Sequence, residues 1–340
     1  MQPKIQPEVE PYVAVVEVAY SLETALGSTP DIVLDSLLKK KNAALKHSDI
    51  TTTGRDGFGH VPIFYAPVKT LEFSRPFERS MDLCLATLER IILNAVSVVP
   101  PLMVYIILPS IHSVRSQFFD PAEIKDGIFT VFPNLYENCT IDFWREDENL
   151  VELLHSLLKD LSQKKWSAII LGGMDSLINN DTYQEMIRQG NIRKLGFLEA
   201  DMPGEGAAFV LLKNIGNNEA ENVGVKSLNP SSMQVFSSIK IEQFDFLGSL
   251  PKDVELVISN RSNNQKSEIT WYEKTKHLWV DNRPKEIHTQ RWLGNLGAAQ
   301  MPVMLVLGFE WLKRVIEKRK SVLFLFEGKN KIEGIICYRE

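Results

Sequence analysis

Apolar and polar positions alternate between two periods along this chain. Residues 12–20 (YVAVVEVAY) form a β-branched apolar run that predicts a buried strand. Residues 32–41 then follow a helical spacing, with Ser28 or Thr29 as the cap and Pro30 early in the first turn. Residues 46–68 contain Gly54, Gly57 and Gly59 and have no helical period, which predicts a loop with short strands. A long helical pattern covers 77–98, and an apolar strand covers 102–108. Residues 109–147 show no clear period. Over 149–162 the six leucines 150, 153, 154, 157, 158 and 161 fall on one helix face. A short buried strand, 168–171, is expected to end at Gly172-Gly173, followed by a helix over 183–188 and a strand over 207–213. Strands are predicted at 223–228 and 254–259, a long helix at 298–320, and two final strands, 321–327 and 332–338, around a Gly328-Lys329-Asn330 turn.

Strands alternating with helices imply α/β layers. The strand–helix order of the first half recurs in the second without an exact repeat, which implies two similar halves. The expected organisation is a tail over 1–11, an N-terminal half over 12–215 and a C-terminal half over 216–340. At 340 residues the chain is long enough for about two domains. The apolar stretch 91–109 has nearly the length of a membrane span. Pro100-Pro101 divides it, and Asn94 and Ser97 interrupt its first part, so it reads as a helix end, a turn and a strand, and no membrane segment is expected.

Charge narrows the partners. Lys and Arg number 38 against 43 Asp and Glu, and the basic runs 39–41 and 313–320 are short. Nucleic acid is not an expected partner, because phosphate binding needs a concentrated basic face. Cys84, Cys139 and Cys337 lie far apart with no CxxC or Cys/His cluster. Neither a disulfide framework nor a metal site is indicated, no cofactor is expected, and a reducing cytoplasmic setting fits best. The N-terminal residues lack the basic and apolar pattern of a signal peptide.

Four segments carry chemistry-related motifs. Gly172-Gly173 brings backbone close to its neighbours and is followed by Asp175 and Ser176. Gly204 and Gly206 flank Glu205, a carboxylate placed to accept backbone N–H bonds as it enters a strand. Gly297-Ala298-Ala299 opens a helix that must pack closely, and a terminal hairpin closes the chain. In this order and spacing they resemble the conserved segments of β-ketoacyl synthases over roughly 150–340; the first 150 residues fit in outline. The resemblance implies a thiolase-like five-layer αβαβα fold built from two similar halves.

The family's catalysts can be sought residue by residue. It resembles a set of enzymes that use a Cys nucleophile at a helix N-terminus, two histidines and often a lysine. A thiolate is required because it attacks a thioester at neutral pH. The nucleophile's place falls near Asp147, within Arg145-Glu146-Asp147-Glu148-Asn149; Cys139 lies about eight residues earlier. The first histidine's place, after 254–259, holds Asn260 at the head of Asn260-Arg261-Ser262-Asn263-Asn264. The second histidine's place is Gly294, and the lysine's lies near Thr289. His288 is close by and reads as a surface or loop histidine. The resemblance therefore implies a catalytically degenerate member, with Glu205 and Asp175 structural. Neither GxSxG, a Walker loop, HExxH nor GxGxxG is present. Trp271, Tyr272 and Trp279 lie in a charged segment and are expected to be partly exposed, where they mark either an interface or loop packing.

Two non-catalytic roles follow from the resemblance. Short ketosynthase-like proteins that accompany type VI secretion effectors share the PGE segment and the LGNLGAA segment. On that likeness the chain is an adaptor or chaperone that binds an effector or its chaperones. The alternative is a chain-length-factor-type partner of an active ketosynthase in polyketide or fatty-acid-like synthesis. Both imply a dimer, with itself or with a ketosynthase-like protein, through a strand near 137–143 or 168–171.

Overall fold

Most of the apolar runs become inner strands of one ten-stranded sheet whose two five-stranded sets share one topology. The structure is a computed structural model that describes residues 12–54, 57, 59–69, 75–94, 101–137, 139–214, 231–240, 254–262, 269, 271–273, 284–314, 321–327 and 331–339. In chain order the strands are β1 (Tyr12–Thr24), β2 (Leu45–Thr53), β3 (His60–Tyr65), β4 (Leu102–Leu108), β5 (Cys139–Arg145), β6 (Ala168–Ser176) and β7 (Glu205–Asn214). The second half adds β8 (Ser231–Lys240), β9 (Val254–Ser259), β10 (Lys285–His288), β11 (Ser321–Glu327) and β12 (Lys331–Arg339). The helices are α1 (Pro30–Leu38), α2 (Pro76–Asn94), α3 (Pro121–Val131), α4 (Leu150–Ser162), α5 (Asn180–Arg188), α6 (Thr289–Leu293) and α7 (Gln300–Arg314).

The N-terminal strands are ordered β5-β4-β6-β7-β1 and the C-terminal strands β10-β9-β11-β12-β8. In each set the second strand runs parallel to its two neighbours, and the last two pairings are antiparallel. One strand joins the sets. Residues 12–16 of β1 pair with 231–235 of β8, and the rest of β1 pairs with β7, with Tyr20 opposite Val210. The hairpin β2–β3 forms a separate small sheet.

Helices α4 and α7 pack between the two sets of strands. Their leucines and methionines share one core with Ile169, Leu171 and Val210 on one side and Leu256, Ile258 and Phe324 on the other. Helix α7 is buried on nearly every face, as a helix inside a layered protein must be. Helices α2 and α3 cover the outer face of the N-terminal strands, where Leu83, Leu88, Ile124 and Ile128 pack on Val104, Ile106, Ile170 and Phe209. No helix among the described residues is long and apolar enough to cross a membrane.

Several expectations change in detail. Strand β6 does not end at Gly172-Gly173 but runs through both to Ser176. Glycine serves packing there: a Cβ on Gly172 would fall on the Phe209 ring, and one on Gly173 on the Ala298 carbonyl oxygen. Thr29 occupies the cap position of α1 but its side chain makes no cap bond; Pro30 supplies the start. The segment 109–147, which had no readable period, contains α3 and β5, and α3 carries a conventional start: the Asp120 side chain accepts from the Ala122 N–H and Pro121 follows. The strand expected at 223–228 lies outside the described residues, as do residues 1–11 and Trp279. Trp271 is buried rather than partly exposed, whereas Tyr272 is exposed.

Candidate functional site

The singled-out motifs converge on one place. Asn295 donates its backbone N–H to the Met202 carbonyl (2.7 Å) and accepts from the Gly204 N–H (3.0 Å), which ties the LGNLGAA segment to the PGE segment. Glu205 is fully buried. Its carboxylate accepts from the Val68 N–H (2.7 Å), from Ser176 Oγ (2.8 Å) and from Arg79 Nε (2.9 Å), and pairs again with Arg79 Nη2. A buried carboxylate is stable only when so compensated. Asp175 accepts from the Ala298 N–H (3.0 Å) and pairs with Arg115, whose Nη2 donates to Glu146 Oε1 at 2.6 Å. Arg115 therefore links the core strand β6 to the turn after β5. Gly297, at φ 51°, lies so close that a Cβ there would fall on Asp175 and Arg115.

Above this layer lies a cavity of about 220 Å³ between the N-termini of α4 and α7. The N-terminal half contributes Ser110, Glu146, Asp147 and Leu150 to its wall. The C-terminal half contributes the carboxamides of Asn260, Gln290, Asn295 and Gln300, with Met301 and Phe326. Ser110 Oγ donates to Asp147 Oδ2 (2.6 Å), and the Ser110 N–H donates to Glu146 Oε1 (3.1 Å). The Gly297 N–H donates to Asn295 Oδ1 (2.9 Å). Gln300 donates to Thr289 Oγ1, which itself donates to the Ser259 carbonyl (3.0 Å).

This geometry brings Asp147 and Asn260 to the same cavity, with Gly294 next to the lining residue Asn295. Gly294 adopts φ 83° and ψ 175°, a conformation that is essentially confined to glycine. A Cβ there would meet the Met202 carbonyl at 2.8 Å and Gly204 Cα at 3.1 Å. The backbone at 294 is thus built to exclude a side chain.

Solved structures of ketosynthases resemble this fold. Over 96% of this chain, and 99% of the other, it superposes with a TM-score of 0.69 and 12% identity on a type II polyketide ketosynthase in complex with its acyl-carrier protein, AntDE:AntF. A ketosynthase from module 6 of the bacillaene synthase of Bacillus subtilis 168 matches with a TM-score of 0.64 and 13% identity, over 96% of this chain and 72% of that one. The ishigamide ketosynthase/chain length factor matches with 0.66 and 11%, over 96% and 99%. The fold is thiolase-like. No family model and no curated protein matches the sequence. In this thiolase-like frame Glu205 and Asp175 are held by charge-paired guanidinium groups deep in the strands.

Sequence reasoning missed the burial of His288. It is not a surface residue: its side chain is 11% exposed and lies between Ser259 Oγ, 2.6 Å from Nδ1, and Glu286 Oε2, 3.3 Å from Nε2. This is a serine–histidine–carboxylate row, but Ser259 is fully buried and neither it nor His288 lines the cavity. Ile258 and Ile287 point into the central core, so their neighbours Ser259 and His288 point to the opposite face, against Trp271. Cys139, at the start of β5, has its thiol pushed up to about 12 by burial, the reverse of an activated nucleophile. Among the described residues no three His, Cys, Asp or Glu side chains gather as a metal site would require.

Proposed function

We propose that this chain is a thiolase-fold protein without ketosynthase chemistry, acting by protein binding as an adaptor or chaperone for a secreted effector. The observation that supports this most is Gly294. Its backbone leaves no room for the side chain a catalytic histidine would need. The cavity wall agrees. Asp147 stands where the nucleophile would, and its carboxylate is hydrogen-bonded to Ser110. Asn260, a neutral amide, stands where an imidazole would support decarboxylation. Likeness to the short ketosynthase-like proteins that accompany type VI effectors favours an effector as the partner.

The alternative is a chain-length-factor-type partner of an active ketosynthase. It is favoured by the match along 99% of the ishigamide ketosynthase/chain length factor chain. Either role uses a partner strand. Among the described residues β5 ends its sheet with one edge unpaired, whereas β6 pairs with both β4 and β7, so residues 168–171 are excluded from that task.

Intact mass after incubation with malonyl- and hexanoyl-thioesters tests the absence of chemistry, and capture of partners from the native host tests the role. The expected result is an unmodified chain recovered with an effector or its chaperone. An acyl adduct overturns the non-catalytic reading. Recovery of an acyl carrier protein with an active ketosynthase selects the alternative.

A further inference from the structure

The cavity retains a binding shape with its chemistry changed. Its two charged lining residues, Glu146 and Asp147, are both acidic. Glu146 is matched by Arg115, which is also paired with Asp175. Asp147 accepts from the neutral Ser110 hydroxyl, and among the described residues no basic side chain pairs with it. The N-termini of α4 and α7 add about half a positive charge each. Three carboxylates against one guanidinium and two helix ends leave an excess of about one negative charge at the site. Arg145, which donates to the Pro109 carbonyl, and Glu148 on the same turn offset one another, and neither lines the cavity.

The walls are also ordered. Asp147 is exposed at the mouth, while Ala298, Met301 and Phe326 are at most 6% exposed and form an apolar interior. Gln290 lines the cavity too, and among the described residues its buried Oε1 accepts no hydrogen bond. The lining therefore combines a carboxylate and a carbonyl acceptor with apolar side chains. At ~30 Å³ per water-sized group, 220 Å³ holds about seven such groups. We propose that this cavity binds a small primary alkylammonium ion, with its tail against Met301 and Phe326 and its ammonium at Asp147.

This inference stands apart from the protein-binding role, so its failure leaves that role untouched. The test is calorimetric titration of the full chain at pH 7.5 with n-pentylamine, 1-pentanol and pentanoate. Pentylamine is expected to bind saturably, and the alcohol and the acid at least tenfold more weakly. Asp147→Asn should lower amine affinity at least tenfold, and Leu150→Trp, which enlarges a side chain of the cavity wall, should abolish it, with both variants folded by circular dichroism. Equal or tighter binding of pentanol or pentanoate overturns the proposal. So does the absence of amine binding, or amine binding unchanged in both variants.

Discussion

His288 shows how one residue's surroundings set its response to acid. Burial holds its imidazole below the ordinary histidine value of 6.5, although Glu286 pulls the other way. A histidine kept neutral by the fold contributes stability that is complete above its unfolded value and is lost as pH falls through the folded one. Urea unfolding should therefore show a midpoint that drops between pH 7.5 and pH 5.5, and His288→Gln should have a shallower drop over the same interval. His47, also held low by burial, contributes with the same sign in both proteins, so the difference in slope isolates His288. If the two slopes agree, His288 does not carry the effect. Legibility differed sharply between residues. The structural role of Glu205 is what the family resemblance implies, and a carboxylate at a strand entry can accept a backbone N–H, as it does from Val68. The place of His288 was not legible, because its partner Ser259 is 29 positions away and the pairing arises only from the parallel register of β9 and β10.

At the scale of elements, most strands paired on both sides follow an apolar run, but β8, which pairs with β1 and β12, falls where no strand is predicted, and the edge strands β5 and β10 fall where no period is clear. β4, β9 and β11 are mostly apolar runs and matched their predicted bounds. β5 mixes exposed Thr140 and Asp142 with buried Ile141, and β10 is four residues in a charged stretch, so neither carries a strong period. Their polar character fits their position: among the described residues one side of each has no strand neighbour. On β5 the Phe143 N–H is accepted by the Asp142 carboxylate, 2.9 Å away, a local stopper on an otherwise open edge. Two-fold pairing through β5 would set Thr140 near Asp142 of a second copy. Thr140→Glu, at an exposed position, should then bring like charges together and weaken association at least tenfold. Light scattering should give twice the 38.6 kDa chain mass for the native protein and a single chain mass for the variant at equal concentration. A native protein already at a single chain mass would rule out the homodimer and leave a heterologous partner.

Taken whole, the molecule is two copies of one strand order around shared central helices. The core that encloses α4 and α7 draws residues from both halves, among them Leu22, Leu171, Leu256 and Phe324. A core of that kind does not allow one half to unfold while the other keeps its apolar surface covered. Thermal unfolding followed by far-ultraviolet dichroism and by tryptophan fluorescence should give coincident single transitions. Two resolved transitions would show that the halves are energetically separable.

Strand β1 is synthesised well before its partners β7 and β8. Tyr20 must wait for Val210, and residues 12–16 wait longer still for β8. At 5–20 residues per second, synthesis of the intervening chain lasts about 10–40 s. During that interval an apolar β-branched strand has no native neighbour, and closing so long a loop is a slow step. The same strand that later joins the two sets of strands is thus a hazard for self-association in the nascent chain, and the yield in a cell should depend on holding factors that cover β1.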